Sequence, residues 1–413
     1  MMEKSSEKEL IKRLQKQIME DLDFGEELDD EQLKDLIGKY LLEKEENAHI
    51  SLLQRKQIGK EIFDALRKLD VLQDLIDDDE ITEIMVNGPE SIFVEKGGSL
   101  HRVNQKFESE EKLLQVIQQI VSGCNRAVNE SCPIVDARLE NGARVNVVLY
   151  PIALNGPILT IRRFPDVPIT MEKLKDMNAV SEEAVDFLEK AVRAKYNIII
   201  SGGTGSGKTT FLNALSQYIP KDERIITIED SAELQILGID NLIRMETRNI
   251  NLKGGKGITI RDLIKSSLRM RPDRIIVGEV RGEEAFDMIG SAMNCGHDGS
   301  MSSAHANSAS DMLLRLENMI LMGAPLPISA IRRQIASGVD IIVHLGRLRD
   351  KSRKVLEIAE VRGMENEEIL MNTLFRFQET SEGKNKKIEG KLKKVGNLIH
   401  KYKMETAGIP LPY

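Results

Sequence analysis

Apolar residues change their spacing along the chain, and each change marks a different kind of structure. From Glu7 to about Asp74 they recur at helical spacing in a strongly charged background. Two helical faces stand out, formed by Leu33, Leu36, Ile37, Tyr40 and Leu41 and by Ile58, Ile62, Leu66 and Leu69. Residues 1–74 are therefore predicted to form an N-terminal bundle of three helices, which packs on the main body or docks a partner.

Between residues 75 and 164, short apolar runs that end in glycine accompany one helical segment. The runs at 81–88 and 91–98 are typical of strands, and residues 111–123 have helical spacing. Asn141-Gly142 is a strong hairpin signal between two further strands. This segment is predicted to be a small α+β domain. The stiff sequence around Pro165 and Pro168 predicts a linker over residues 165–172.

Beyond the linker, the apolar runs are continuous rather than alternating. The runs at 198–200, 225–228 and 275–277 are β-branched, as expected of parallel strands buried on both faces, and helical segments separate them. Residues 173–413 are thus predicted to form an α/β domain. At its end, residues 384–403 combine many lysines with apolar residues at helical spacing. This pattern predicts a basic amphipathic C-terminal helix, either solvated or in contact with anionic lipid or an acidic partner.

Composition narrows the class of protein. A formal net charge of -8 argues against a surface that tracks nucleic acid throughout, and an aromatic content of 4% offers no stacking platform for bases. The three cysteines form no CxxC pair, so we expect a reducing compartment and no zinc site. Because the first residues contain no apolar signal region and no run approaches about 18 apolar residues, the chain is predicted to be cytoplasmic with no membrane span of its own.

The first candidate for chemistry follows the apolar run at Ile198. The sequence SGGTGSGKTT contains G-x-x-x-x-G-K-[ST], the spacing of a phosphate-binding loop between a strand and a helix. Glycines let backbone N–H groups converge on phosphate, a lysine reaches the β- and γ-phosphates, and a hydroxyl binds Mg²⁺. The residues predicted to hold ATP are Gly203, Thr204, Gly205, Ser206, Gly207, Lys208, Thr209 and Thr210. Of these, Thr209 is also a predicted Mg²⁺ ligand.

Acidic residues follow the next two buried runs, at the edge where parallel strands bind ligands. Glu229 is predicted to polarise the water that attacks the γ-phosphate; the alternative is a helix cap. Glu279 follows Gly278, which stands where the standard second nucleotide motif has its first acid. Glu279 is therefore predicted to bind Mg²⁺, directly or through water, or to share the role of base with Glu229. The sequence leaves the division of work between these two carboxylates open.

Histidines and arginines complete the candidate site. His297 and His305 flank a short run of small residues and are predicted to sense the γ-phosphate. A metal site is not favoured there, because a third clear ligand is missing. Four arginines cluster around the predicted hairpin: Arg138, Arg144, Arg162 and Arg163. They are either solvated surface residues or, beside a nucleotide domain, bidentate phosphate ligands.

In this order, the motifs resemble the secretion ATPase superfamily, which powers type II and type IV secretion and type IV pili. The similarity extends over roughly residues 70–365 and rests on EIMVNGPESIFVE, VDARLENGARVNVV, GPILTIRRF, SGGTGSGKTT, RIITIEDSAEL, RMRPDRIIVGEVRG and GHDGSMSSAHANS. Within the superfamily, the sequence looks most like the tight-adherence (Flp) pilus assembly ATPase. The resemblance implies a RecA-like P-loop ATPase domain preceded by a smaller α+β domain.

The resemblance also implies a homo-hexameric ring that hydrolyses ATP with Mg²⁺ and works with inner-membrane platform proteins at the cytoplasmic face of the membrane. Nucleotide would lie between the two domains, and no nucleic acid is expected as a partner. Residues in the catalytic motifs are Lys208, Glu229, Glu279, His297 and His305, and the arginines that close over nucleotide are Arg138, Arg144, Arg162 and Arg163. The alternatives are a RecA-like nucleic-acid-translocating ATPase and a nucleotide-gated scaffold without turnover.

Overall fold

The computed structural model describes residues 30–42, 51–67, 69–124, 126–139, 142–163, 168–248, 257–382 and 388–411, together with Leu14 and Ile18. The chain divides into two compact units, Met1–Pro165 and Asp166–Tyr413.

Two helices begin the first unit, α1 (Asp30–Leu42) and α2 (Leu52–Arg67). Their predicted apolar faces are buried together in one cluster, whose members include Leu14, Ile18, Leu33, Ile37, Leu41, Ile58 and Ile62. These helices correspond to two of the three that the pattern predicts. Apart from Leu14 and Ile18, the segment predicted as the first helix lies outside the described residues.

A six-stranded antiparallel sheet follows in the first unit. Its strands are β1 (Ile81–Asn87), β2 (Ile92–Lys96), β3 (Ser99–Arg102), β4 (Ile134–Arg138), β5 (Arg144–Val148) and β6 (Ile158–Arg162), and its helices are α3 (Gln73–Asp77) and α4 (Glu110–Gly123). The strand order is β3-β2-β1-β6-β5-β4. In β5, buried Val145 and Val147 alternate with half-exposed residues. Alternation of this kind arises because α4 covers one face of the sheet, where its Ile117 joins the same core.

The second unit contains a nine-stranded sheet. Its strands are β7 (Ile198–Gly202), β8 (Ile225–Glu229), β9 (Leu242–Glu246), β10 (Arg274–Val277), β11 (Met301–Ala304), β12 (Ile341–Arg347), β13 (Arg353–Glu365), β14 (Glu368–Glu382) and β15 (Ile388–Lys394). The strand order is β15-β14-β13-β12-β7-β11-β10-β8-β9. Strands from β12 to β9 in this order are parallel, whereas β13, β14 and β15 add an antiparallel flank.

Helices cover both faces of this sheet, which explains the continuous apolar runs. They are α5 (Met171–Asp176), α6 (Glu182–Arg193), α7 (Lys208–Ser216), α8 (Ile260–Ser267), α9 (Glu284–Asp287), a π-helical turn (Met288–Met293), α10 (Ala309–Gly323), α11 (Ile328–Gly338) and α12 (Tyr402–Thr406). One core contains α6 and α7 and the other contains α10 and α11. The predicted α/β class with a RecA-like phosphate-loop domain is confirmed. No helix in the described segments is long and apolar enough to cross a bilayer.

The prediction of a basic amphipathic helix over residues 384–403 is wrong. Strand β15 pairs with β14 instead, and the only helix described near the end of the chain is the short α12. Ile388 and Leu392, four residues apart, lie on one face of a strand as well as of a helix, so the spacing was ambiguous. Pairing with β14 decides between the two structures. The paired strands approach so closely at Gly390 that a Cβ there would lie 2.7 Å from the Gln378 carbonyl oxygen.

The segment after β15 returns to the start of β7. The Tyr196 hydroxyl donates a hydrogen bond to the His400 carbonyl at 2.6 Å. The Lys403 ammonium lies 2.7 Å from Asp340 Oδ2, and the same Asp340 oxygen accepts from the Asn197 backbone N–H at 2.7 Å. The end of the described chain is therefore tied to the residues that precede the phosphate-loop strand.

Candidate functional site

The predicted phosphate loop connects β7 to α7. Gly207 immediately precedes the helix with φ of 94°, a conformation that favours glycine. A Cβ at Gly202 would lie 2.6 Å from the Leu345 carbonyl oxygen, so no larger residue fits there. Residues 203–205 are exposed, whereas Lys208 is only 8% exposed. The sequence thus forms an open loop above the N-terminus of a helix, which is an arrangement suited to phosphate.

Sheet topology brings the other candidate residues to the same edge. Strands β7, β11, β10 and β8 are adjacent and parallel, so their carboxyl ends lie side by side. The phosphate loop follows β7, His305 follows β11, Glu279 lies two residues after β10, and Glu229 ends β8. Four segments that are distant in sequence therefore contribute to one edge of the sheet.

Three of these side chains are in direct contact. The Lys208 ammonium lies 3.4 Å from both ring nitrogens of His305, and His305 Nε2 lies 2.7 Å from Glu279 Oε1. Burial lowers the pKa of His305, while Glu279 opposes this shift and Lys208 adds to it. The other Glu279 oxygen accepts a hydrogen bond from Arg281 at 3.1 Å. Both oxygens of Glu279 therefore already have a cationic or imidazole neighbour.

Glu229 is held differently. Its Oε2 accepts hydrogen bonds from the backbone N–H groups of Glu233 and Leu234 at 2.7 and 2.8 Å. Its Oε1 is buried and has no hydrogen-bond partner within the described part of the chain. Burial raises the pKa of Glu229 to about 7, against the lowering effect of the two backbone hydrogen bonds. The result is an anchored carboxylate with one oxygen available and a proton affinity suited to a general base near neutral pH.

The contact between Glu229 and Gly278 explains the departure from the standard second nucleotide motif. A Cβ at position 278 would lie 3.0 Å from Glu229 Cγ and 3.3 Å from its Oε2. The Glu229 side chain therefore occupies the space that an acidic side chain at 278 would need. Glycine at this position leaves room for the Glu229 carboxylate, which extends from the neighbouring strand β8 over the residue that follows β10.

A magnesium ion fits the donors at this edge. Thr209, in the first turn of α7, supplies a hydroxyl and Glu279 a carboxylate, which are the oxygen donors that Mg²⁺ prefers. Within the described ranges no group of three or more His, Cys, Asp or Glu side chains could hold a metal by itself. Few protein ligands are typical of Mg²⁺ bound together with nucleotide phosphates and water, where the ion neutralises phosphate charge.

His297 is not brought to the phosphate loop. It precedes β11 whereas His305 follows it, so the two histidines lie at opposite edges of the sheet, about 13 Å apart along a strand of this length. His297 Nδ1 lies 3.0 Å from the Pro272 carbonyl oxygen. Grouping the two histidines as a pair of sensors therefore does not hold within one chain, because the intervening strand separates them.

The four candidate arginines belong to the first unit. Arg138, Arg144 and Arg162 stand directly opposite one another across β4, β5 and β6, and Glu83 of β1 follows in the same row. Like charges in this position repel and destabilise a sheet. Arg163 is different, because its guanidinium forms an ion pair with Asp79 at 3.1 Å.

Two residues near the phosphate loop were missed by sequence reasoning. Arg353, at the start of β13, donates a hydrogen bond from Nε to the Gly205 carbonyl at 2.9 Å. His344 of β12 lies 3.0 Å through Nδ1 from the hydroxyl of Ser201, the residue before Gly202. No sequence signal points to Arg353, since it lies far from the loop along the chain. A histidine within the apolar run of residues 341–345 was visible as an interruption.

Comparisons with known proteins identify the family of this chain. Residues 65–404 match the family described as Type II/IV secretion system protein. The chain belongs to this family. Membership places the chain among the secretion ATPases, which implies that it binds nucleotide. It also confirms the superfamily that the motifs resemble.

Individual relatives have related descriptions. A putative conjugal transfer protein of Mycobacterium tuberculosis is 33% identical over 301 residues, which cover 71% of this chain and 85% of the relative. The type IV secretion system protein VirB11 of Brucella suis is 32% identical over 304 residues, or 67% of this chain and 84% of the relative. The crystal structure of the pilus retraction motor PilT with bound ADP is 19% identical with a TM-score of 0.52, covering 82% of this chain and 86% of that chain. At this identity, the PilT likeness concerns the fold.

Proposed function

We propose that the protein is a Mg²⁺-dependent ATPase that works as a homo-hexameric motor. The observation that carries the proposal is the alignment, along one sheet edge, of an open phosphate loop bearing Lys208 with a buried Glu229 that keeps one oxygen unbonded. Lys208 and the loop N–H groups bind the β- and γ-phosphates. Glu229 Oε1 orients the attacking water and accepts its proton.

Glu229 is the better base of the two carboxylates. Its raised pKa and its two backbone hydrogen bonds suit an anchored proton acceptor, whereas Glu279 lies beside the guanidinium of Arg281 and the ring of His305. Glu279 is proposed to hold Mg²⁺ or its waters together with Thr209. His305, between Glu279 and Lys208, is proposed to respond to the γ-phosphate, while His297 has no role at this edge.

The arginine row supports a second anion-binding surface in the first unit. Arg138, Arg144 and Arg162 bring three guanidinium groups into one row, and guanidinium groups bind phosphate through bidentate contacts. We propose that this row binds nucleotide phosphate, and that Arg163 either orders the end of β6 through its ion pair with Asp79 or joins the row. Loss of the γ-phosphate would then remove contacts made by the row, and movement would be the output.

The biological role follows from the family. Relatives are named for conjugal transfer and type IV secretion, so we propose a motor that drives assembly of a type IV-like pilus or secretion of protein substrates. Within that range we propose tight-adherence pilus assembly, on the motifs quoted above. The partners would be inner-membrane platform proteins, met at the cytoplasmic face, and nucleic acid would not be the track.

Matched carboxylate variants test the chemistry. Lys208→Ala is expected to abolish ATP turnover, and Glu229→Gln to retain ATP binding while lowering kcat by at least about 10²-fold. Glu279→Gln is expected to raise the Mg²⁺ concentration needed for half-maximal turnover. Phosphate release and binding of a fluorescent ATP analogue separate these effects. Normal turnover in Glu229→Gln with none in Glu279→Gln would reverse the assignment of the base.

The same assay distinguishes the other classes of function. Turnover stimulated by DNA, with a salt-sensitive DNA complex, would support the nucleic-acid-translocating alternative. ATP binding without turnover, with and without the membrane platform, would support a nucleotide-gated scaffold. Recovery of platform proteins with the wild-type chain, and of a ring of six subunits by mass measurement, is the result expected here.

A further inference from the structure

His344 is an unusual residue for its place in the fold. It lies in β12, between β7 and β13, in a run that is otherwise apolar and buried, and it is itself 7% exposed. Burying an imidazole is unfavourable unless its nitrogens are hydrogen-bonded. The contacts made by the ring therefore indicate why a histidine occupies this position.

The ring contacts the phosphate-loop strand through Nδ1. Nδ1 lies 3.0 Å from the Ser201 hydroxyl, one residue before the phosphate loop begins at Gly202. The backbone of Asn307 also acts on the ring and raises its pKa. Ser201 reinforces the connection, because its hydroxyl lies 3.4 Å from the Ser308 carbonyl oxygen. One side chain thus links the phosphate-loop strand to the segment that follows His305.

The charge state of the ring suits these partners. Burial lowers the pKa of His344, against opposing effects of Glu357, which faces it from β13, and of Asp311 in α10. A neutral imidazole has one donor and one acceptor. Donation from Nδ1 to the Ser201 hydroxyl oxygen leaves the single hydroxyl proton of Ser201 for the Ser308 carbonyl.

We propose that His344 is a positioning residue of the ATPase site, which holds the segment 305–308 against the phosphate-loop strand so that a change at His305 is passed to α10. The inference rests on the proposed ATPase function. His344 touches neither Lys208 nor Glu279 in the described contacts, so its effect passes through Ser201 and residues 305–308. Because Ser308 caps α10 by accepting the Asp311 backbone N–H at 2.9 Å, displacement of this segment moves the start of that helix.

Two substitutions separate positioning from simple loss of packing. His344→Leu fills similar volume without hydrogen bonds, while His344→Asn keeps an amide near the position of Nδ1. His344→Leu is expected to lower kcat about tenfold while the KM for ATP changes less than about twofold, and His344→Asn to recover part of the loss. Because both residues act on the same segment, the double variant His305→Ala/His344→Leu is expected to be no slower than His305→Ala alone.

Hydrogen–deuterium exchange gives a readout that does not need turnover. In nucleotide-free His344→Leu, the peptide covering residues 305–308 is expected to exchange faster than in the wild type, while the peptide covering β8 stays unchanged. Thr227→Val is the matched control, because the buried Thr227 hydroxyl has no hydrogen-bond partner among the described residues. It is expected to leave both readouts unchanged.

Unaltered exchange over residues 305–308, or an additive loss in the double variant, would overturn the inference. If His344→Leu does not fold, the same two measurements on His344→Asn decide. A wild-type protein without any turnover would contradict the proposed function instead, and the exchange result would still report whether His344 holds this segment.

Discussion

The two sheets of this protein bury their strands in different ways. In β5 of the first unit, buried Val145 and Val147 alternate with half-exposed residues, two of them polar, whereas all five residues of β7 in the second unit are buried. A polar side chain on an open face follows from geometry alone, so a single arginine in the first sheet says little about function. A polar side chain within a strand covered on both faces needs a hydrogen-bond partner or has a function, as Ser201 and His344 illustrate.

The comparison also shows how each unit accommodates arginine side chains. The first unit aligns three arginines across an otherwise ordinary antiparallel register. The second buries the guanidinium of Arg274 completely but provides the Glu223 carboxylate and the Val192 carbonyl as partners. One charge arrangement places like charges side by side at a surface where an anion is proposed to bind. The other is balanced far from the nucleotide edge, at the start of β10.

Removing the partner of Arg274 should have the largest effect on stability. Glu223→Gln leaves a fully buried guanidinium without its carboxylate and is expected to lower the free energy of unfolding of the second unit by about 3–5 kcal/mol. Thermal unfolding followed by peptide-resolved exchange would assign the loss to this unit. Glu189→Gln, which removes an exposed pair with Arg193, is the control and should cost at most about 0.5 kcal/mol. A comparable loss in both variants would contradict the special role of burial.

Substitution of Gly278 tests the buried site itself. In Gly278→Ala, the new methyl group lies 3.0 Å from Glu229 Cγ and must displace that side chain. We expect kcat to fall about tenfold with ATP affinity retained, because the carboxylate moves but the phosphate loop does not. Gly282→Ala, where the nearest atom is 3.4 Å away at the end of the Glu284 side chain, is the matched control. Equal activity in both variants would remove Glu229 from the role of base.

The pH dependence of turnover sharpens the assignment further. A general base must be unprotonated, so kcat is expected to rise as pH increases through about 7, the value to which burial raises the pKa of Glu229. The residual turnover of Glu229→Gln should lack this rise. Stability should change in the opposite sense: because the folded protein binds this proton more tightly than the unfolded chain, raising the pH from the ordinary glutamate value of 4.5 to about 7 destabilises the second unit. A pH profile that is identical in both proteins would count against this assignment.

The smallest expected effect concerns the arginine row. Arg144→Gln removes the central charge and is expected to stabilise the first unit by about 0.2–1 kcal/mol while lowering turnover. Arg163→Gln loses the ion pair with Asp79 and should give no stabilisation. Chemical denaturation followed in the first unit checks both; destabilisation by Arg144→Gln would show that the row is not under repulsion.

Much of this architecture was accessible from the sequence, because strand burial and phosphate-loop spacing are local signals. The runs at 198–200 and 275–277 predicted parallel strands, and SGGTGSGKTT predicted the loop between β7 and α7. The C-terminal helix was predicted wrongly because spacing of four residues suits both a helix and a strand. Pairing with β14 is a tertiary effect that such spacing does not contain.

Within the candidate site, the sequence was a better guide to which residues lie there than to which of them are in contact. Strand-end placement anticipated Glu229, Glu279 and His305, since carboxyl ends of parallel strands share an edge. It did not anticipate that Glu229 lies over Gly278 or that His297 lies at the far edge, because these depend on strand order and strand length. Arg353 came from the antiparallel flank, for which no motif exists.

The path of the chain end has a mechanical consequence. His400 and Lys403 attach to Tyr196 and Asp340, at the base of the central strands, and not along the outer edge formed by β15. A partner that binds residues 400–403 would therefore transmit force to the amino end of β7, the strand whose other end carries the phosphate loop. Such a force would reach the central parallel strands without first separating β13, β14 and β15 from them.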